Sequence, residues 1–237
     1  MSKKLSEQQK KAVETTEGPL LIIAGPGSGK TFTLVERILY LIEHKQVEPE
    51  NILVATFTEK AANELVTRIS NRLHEADIKF NLNEMYVGTI HSLCLRILED
   101  NREYTRLKKN YILMDQFDQQ YMLYQKLNRF LALDGIESVL SFNTSRWKQS
   151  QELLKWINKL SEEIVDIEEL VASEDTRLSI LGRCYQIYEQ LLVEENALDF
   201  STIQLETYKL LQNYEEVRDN LNEKLHYLMI DEFQVRP

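Results

Sequence analysis

The sequence predicts an α/β protein, a parallel sheet with an all-helical domain inserted into it. Three observations carry that prediction. A glycine-rich loop, Ala24-Gly25-Pro26-Gly27-Ser28-Gly29-Lys30-Thr31, follows directly on the apolar run Leu20-Leu21-Ile22-Ile23. Strand-like and helix-like patterning alternate over roughly the first 90 residues, as in folds built on a parallel sheet with helices on both faces. From about Asp115 strand signals vanish, and they return at His226-Tyr227-Leu228-Met229-Ile230.

The elements follow in order. Ser6 to Thr16 is patterned as a helix with Ser6 at its N-cap. Leu20 to Ala24 reads as a buried strand. Lys30 to about His44 is a helix with Leu34, Ile38, Leu41 and Ile42 on one face. Ile52 to Thr56 is a second strand, Glu59 to about Glu75 a helix, and Met85-Tyr86-Val87 a short third strand with a helix after His91. Helical patterns then run over Asp115–Leu131, Thr144–Leu160 and Asp175–Glu195. The expected domains are 1–114 plus 197–237, carrying the sheet, and 115–196, carrying the helices. Trp147 and Trp156, inside the helical stretch, read as core or domain-packing residues.

The chain of 237 residues is long enough to bury a full core in one or two domains. Its N-terminus is polar and no apolar run approaches the ~20 residues of a membrane span, so a cytoplasmic protein with no membrane partner is expected. Cys94 and Cys184 form no metal-ligand spacing and read as reduced thiols. The net charge of −10 gives no support for a nucleic-acid partner, but it is unevenly spread. Residues 1–114 carry 16 basic and 15 acidic side chains, residues 115–196 carry 8 and 15, and residues 197–237 carry 4 and 8. The acid lies away from the glycine-rich loop, which leaves room for a local basic track.

That loop contains three of only seven glycines. Glycine reaches positive φ without steric cost and lets the backbone approach a ligand closely. Strand, glycine loop and helix start together form a phosphate cradle, with backbone amides and the helix dipole facing one anion. Residues 24–31 would therefore bind a nucleotide. Lys30 would reach the β- and γ-phosphates and the Thr31 hydroxyl would bind Mg²⁺. Asp231-Glu232, at the tip of the last apolar strand, completes the constellation: Asp231 would hold the metal and Glu232 would act as general base. Other acid pairs, such as Glu162-Glu163, Glu168-Glu169 and Glu194-Glu195, read as solvated turns. Phe57, between a strand and a helix, could be displayed at the sheet edge, where a stacked base is worth ~1–3 kcal/mol; read on its own it fits an ordinary core phenylalanine better.

With these residues placed, the whole chain resembles the UvrD/Rep family of superfamily 1 DNA helicases. Leu5-Ser6-Glu7-Gln8-Gln9 is similar to the family's Q motif, with Gln9 where the adenine-contacting glutamine falls, and residues 24–31 match its phosphate loop. Thr56-Phe57-Thr58-Glu59-Lys60-Ala61-Ala62-Asn63-Glu64-Leu65 resembles motif Ia, with Glu59 where Asn is usual. Gly88-Thr89-Ile90-His91-Ser92 resembles the Thr-x-His-Ser segment, and Leu198-Asp199-Phe200 the Asp-Phe after the helical insertion. Ile230-Asp231-Glu232-Phe233-Gln234 matches motif II, with Val235 where Asp is usual.

The resemblance implies a RecA-like P-loop NTPase sheet, ATP and Mg²⁺ as cofactors, and Gln234 as a sensor of the γ-phosphate. It places Thr56, Phe57, Thr89 and His91 on a single-stranded DNA track. It implies an ATP-dependent 3′–5′ DNA helicase acting at duplex junctions, of which this chain is the N-terminal half. The second motor domain and its arginines, which family members place downstream, would be needed for turnover, so the chain alone is expected to bind Mg-ATP weakly and barely hydrolyse it. Two alternatives stay open: a short ATP-binding regulatory or docking protein, and a different P-loop phosphotransferase. The motif Ia segment and the Asp-Glu-Phe-Gln ending speak against the second.

Overall fold

The structure, a computed structural model, describes residues 4–78 and 81–233. In chain order the elements are α1 (Glu7–Glu14), α2 (Lys30–Lys45), β1 (Ile52–Thr56), α3 (Glu59–Glu75), β2 (Tyr86–Thr89), α4 (Ile90–Asp100), β3 (Ile112–Met114), α5 (Gln116–Gln125), α6 (Leu127–Leu131), α7 (Arg146–Glu162), α8 (Ile167–Val171), α9 (Thr176–Glu194), β4 (Ala197–Asp199), α10 (Phe200–Asn213), α11 (Glu215–Lys224) and β5 (Tyr227–Ile230). The described residues up to Leu93 and from Glu216 onward form one compact unit; Cys94–Glu215 form the other.

The first unit is built on a parallel sheet in the order β2-β1-β5. Alternation decides its two faces. Ile52 and Val54 of β1 and Met229 of β5 pack with Val35, Ile38 and Ile42 of α2 and with Leu65 and Ile69 of α3. On the other face Ala55 and Tyr86 meet Leu93 of α4. Helices start where the sequence signals them. Ser6 caps α1 through a capping box with Gln9, and Thr58 caps α3 by accepting from the Ala61 amide.

One expected element is absent. Leu20 to Ala24 has no strand assignment, and its side chains are not buried: Leu21 is 72% and Ile23 89% exposed. The composition of a strand is not enough, because a strand exists only where its backbone groups find a ladder partner. β5 pairs with β1 alone, so the described sheet ends there. An open groove of about 470 Å³ has Thr16, Glu17 and Gly18 on one wall and His226 to Met229 on the other. Leu228 and Ile230 of β5 are themselves exposed.

In the second unit α5, α6, α7 and α9 surround a core that includes Leu123, Leu127, Phe130, Leu153, Ile157, Tyr185 and Tyr188. The expected single helix over Asp115–Leu131 is two, broken at Lys126, whose backbone leaves helical geometry. Strand structure is also not lost where the sequence suggested: β3 and β4 form a two-stranded parallel sheet, with Ile112 beside Ala197 and Met114 beside Asp199. These strands bracket residues 115–196 and hold the two ends of that stretch together. They are three residues each, too short to show a period. The compact units nevertheless divide at Leu93 and Glu215, because α10 packs on α7 and β4.

Trp156 packs against the helical core under the Arg177 guanidinium, 5.1 Å from its ring centre. Trp147 is more exposed and stands among Phe117 and Tyr124. Asp199 caps α10 through Thr202 and accepts a hydrogen bond from the Tyr188 hydroxyl, whose pKa burial pushes well up. The acid is a buried structural tie.

Candidate nucleotide site and sheet edge

Parallel strands bring their C-terminal ends to one edge, where ligands of open α/β sheets bind. Here that edge is made by Thr56, Thr89 and Ile230, followed by Phe57, by His91 at the start of α4, and by Asp231. The glycine-rich loop starts α2 in the same unit. Gly29 is the N-cap of α2 at φ 89°, and Gly27 sits at φ 73°. Both are backbone conformations that side-chain-bearing residues rarely adopt. A Cβ at Gly29 would also sit 3.0 Å from the Gln9 side-chain nitrogen, the movable end of that side chain, so the positive φ is what reserves the position for glycine.

Gln9 lies against this loop. Its Nε2 donates to the Ser28 carbonyl at 3.1 Å, while Oε1 accepts from the Ser6 amide in the capping box. To contact adenine, its amide would exchange these partners. Arg37 of α2, buried and therefore with a lowered pKa, fixes the end of α1 by donating to the carbonyls of Ala12 and Thr15. That arginine ties α1, which carries Gln9, to α2, and has no motif of its own in the sequence.

The acids arrive from the far end of the chain. Lys30 Nζ lies 3.3 Å from a Glu232 carboxylate oxygen, which joins the phosphate loop to the tip of β5. Asp231 is half-buried. Burial raises its pKa, the neighbouring Glu232 charge adds to the rise, and the Glu232 amide and Lys30 oppose it. Glu232 adopts φ 54°, the left-handed region, which costs a non-glycine residue on the order of 1–3 kcal/mol. Strain of that kind persists where surrounding structure holds a side chain at a set place. Thr31 and Asp231 are hard oxygen donors, the set that suits Mg²⁺ when phosphates and water complete its shell. Ala24, Gly25, Pro26 and Ser28 complete the loop, with the Ser28 hydroxyl donating to the Gly25 carbonyl. Gln234 lies outside the described residues.

The expected strand-binding residues divide into two kinds. Phe57 is 46% exposed, immediately beyond β1. His91, in the first turn of α4, is half-buried, and desolvation lowers its pKa, which leaves a neutral imidazole at neutral pH. Thr56 and Thr89 are buried, because they share the sheet face that meets α2 and α3. Thr56 Oγ1 has no hydrogen-bond partner among the described residues. Thr89 Oγ1 donates to the Glu59 carboxylate at 3.0 Å and accepts from the Ser92 amide. No helix among the described residues is long and apolar enough to cross a membrane.

This site defines a class: an α/β domain with a glycine-rich loop at one helix start and paired acids at a strand tip beside it. A family model described as UvrD/REP helicase N-terminal domain matches residues 5–235, and the chain belongs to that family. It is 34% identical over 232 residues to the ATP-dependent DNA helicase Rep of Buchnera aphidicola subsp. Acyrthosiphon pisum, covering 97% of this chain and 33% of that protein. It is 31% identical over 233 residues to the ATP-dependent DNA helicase PcrA of Staphylococcus epidermidis, covering 98% of this chain and 30% of the relative. The PcrA of Staphylococcus aureus is likewise 31% identical, over 97% of this chain and 30% of the relative. The chain thus spans about one third of the length of the curated relatives it matches.

Proposed function

We propose that this chain is the ATP-binding motor domain of a 3′–5′ DNA helicase, with residues 115–196 as a helical insertion. The observation that supports the reading is the Lys30–Glu232 contact, which brings the glycine-rich loop and the paired acids together from opposite ends of the chain. A nucleotide's terminal phosphates would take the place of the Glu232 carboxylate on Lys30. Glu232 would then be released to accept the proton of an attacking water. The amides of residues 25–31 and the dipole of α2 would hold the phosphate chain. Thr31 and Asp231 would hold Mg²⁺, which supplies charge neutralisation on the phosphates when bound. Single-stranded DNA would cross the strand-end edge at Phe57 and His91, beside the nucleotide.

Only one wall of a two-walled nucleotide site is proposed to lie in this chain. An arginine supplied from a second domain contributes about 10³–10⁵ in rate in comparable phosphoryl-transfer sites. The chain is therefore expected to bind Mg-ATP weakly, to lose that binding by at least ~10-fold in Lys30→Ala, and to show little steady-state ATPase with or without single-stranded DNA. Equal affinity in the variant would overturn the phosphate-loop assignment. Strong DNA-stimulated turnover by this chain alone would overturn the claim that a second wall is needed.

A further inference from the structure

Glu59 is an acid in a place where an anion from outside would be expected. It is the first residue of α3, after the N-cap Thr58 and two positions beyond exposed Phe57. A negative group there is favoured by the helix dipole, and the same field would favour a phosphate. Glu59 also has a specific partner: its carboxylate accepts the Thr89 hydroxyl at 3.0 Å. Thr89 has one hydroxyl proton, within reach of Glu59 and, at 3.2 Å, of the Ser92 hydroxyl oxygen, so while Glu59 holds it no other acceptor has it. Beside it in register on β1, Thr56 ends the neighbouring strand with a buried hydroxyl that has no partner among the described residues. An internal carboxylate thus holds the Thr89 hydroxyl, while the buried Thr56 hydroxyl beside it is left without an acceptor among the described residues.

We propose that Glu59 is a built-in anion that competes with the backbone phosphates of single-stranded DNA for Thr89 and the start of α3, and so limits how tightly this edge holds a strand. The inference rests on the reading of the Phe57–His91 edge as the strand's contact. A phosphate oxygen arriving at the edge meets the charge of Glu59 and must displace it from Thr89. In its place it would accept the same hydroxyl proton. The arrangement weakens strand binding without removing any contact, which suits a protein that must release each stretch of strand it holds.

The test is the affinity of the 237-residue chain for a fluorescently labelled oligothymidylate, followed by anisotropy across a salt series. Glu59→Gln keeps the size and the acceptor and removes the charge. It is expected to tighten binding ~3- to 10-fold at low salt, with the gain shrinking as salt rises. Thr89→Val removes the hydroxyl that the phosphate would use and is expected to weaken binding. These opposite signs separate competition from a general loss of structure, which would weaken both. Phe57→Ala reports on the edge itself and is expected to weaken binding. If Phe57→Ala weakens binding while Glu59→Gln leaves it unchanged or weaker, the competition is wrong and the edge reading stands. If none of the three variants changes affinity, the strand lies elsewhere and both ideas fall.

Discussion

Two apolar runs in this chain have nearly the same composition and different fates. Ile52-Leu53-Val54-Ala55 becomes the central strand of the sheet, with Ile52 and Val54 fully buried. Leu20-Leu21-Ile22-Ile23 precedes the phosphate loop, pairs with no strand among the described residues, and leaves Ile23 almost fully exposed. The first run has strand neighbours on both sides; the second has none among the described residues. Hydrophobicity therefore nominates a strand, and backbone pairing on a neighbour decides whether it forms. A continuous apolar run cannot signal which neighbour it will have.

The sharpest way to break this comparison is to truncate the same residue type in each run. Ile52→Ala is expected to cost about 2–5 kcal/mol, as for other fully buried aliphatic side chains. Ile23→Ala is expected to change stability by no more than ~0.5 kcal/mol. Urea unfolding of both variants measures this, and an equal cost would mean that the run at Leu20 is buried in solution. Next in size is Arg37→Leu, which removes the tie between α2 and the end of α1, upstream of the exposed run. Leaving the Ala12 and Thr15 carbonyls without their donor should cost about 1–3 kcal/mol and loosen Gln9 from the loop. A loss below the measurement error would show that the run's upstream anchor lies elsewhere.

The smallest effect is expected at the tip of the edge strand. Burial holds the Asp231 pKa above the ordinary 3.8. The folded state then binds the proton more readily than the unfolded state does. Asp231 is compatible with the fold at pH below its ordinary value and becomes a burden as pH rises through the shifted one. Asp231→Asn should therefore raise the metal-free melting temperature slightly at neutral pH, with the difference vanishing below about pH 3. A variant less stable at neutral pH would show that the carboxylate makes a favourable contact there.

Local chemistry made several features legible without coordinates. Ser6 and Gln9 signal a capping box by type and spacing, and it is present. The apolar face of α2 and the glycines at 27 and 29 were likewise readable, because a helix period and a positive φ are properties of a few neighbouring residues. The Asp-Glu pair after a strand was legible as a candidate acid pair for the same reason. Contacts between distant residues were not. No pattern announces that Arg37 will reach Ala12 and Thr15, or that Thr89 will find Glu59. The first-turn position of Glu59 was the one available hint, since it marks where α3's dipole meets an anion.

The sequence by itself determined the family, the capping of α1 and the glycine-rich loop as a candidate phosphate site, because each is written in short motifs of neighbouring residues. Only the tertiary structure decided that the apolar run before the loop stays unpaired, that Thr56 and Thr89 turn inward, and that Lys30 meets Glu232. Those outcomes depend on which strands end up adjacent and which face of the sheet a side chain shares. Adjacency is settled by competition among all the elements for pairing and burial, and no single stretch of the chain contains it.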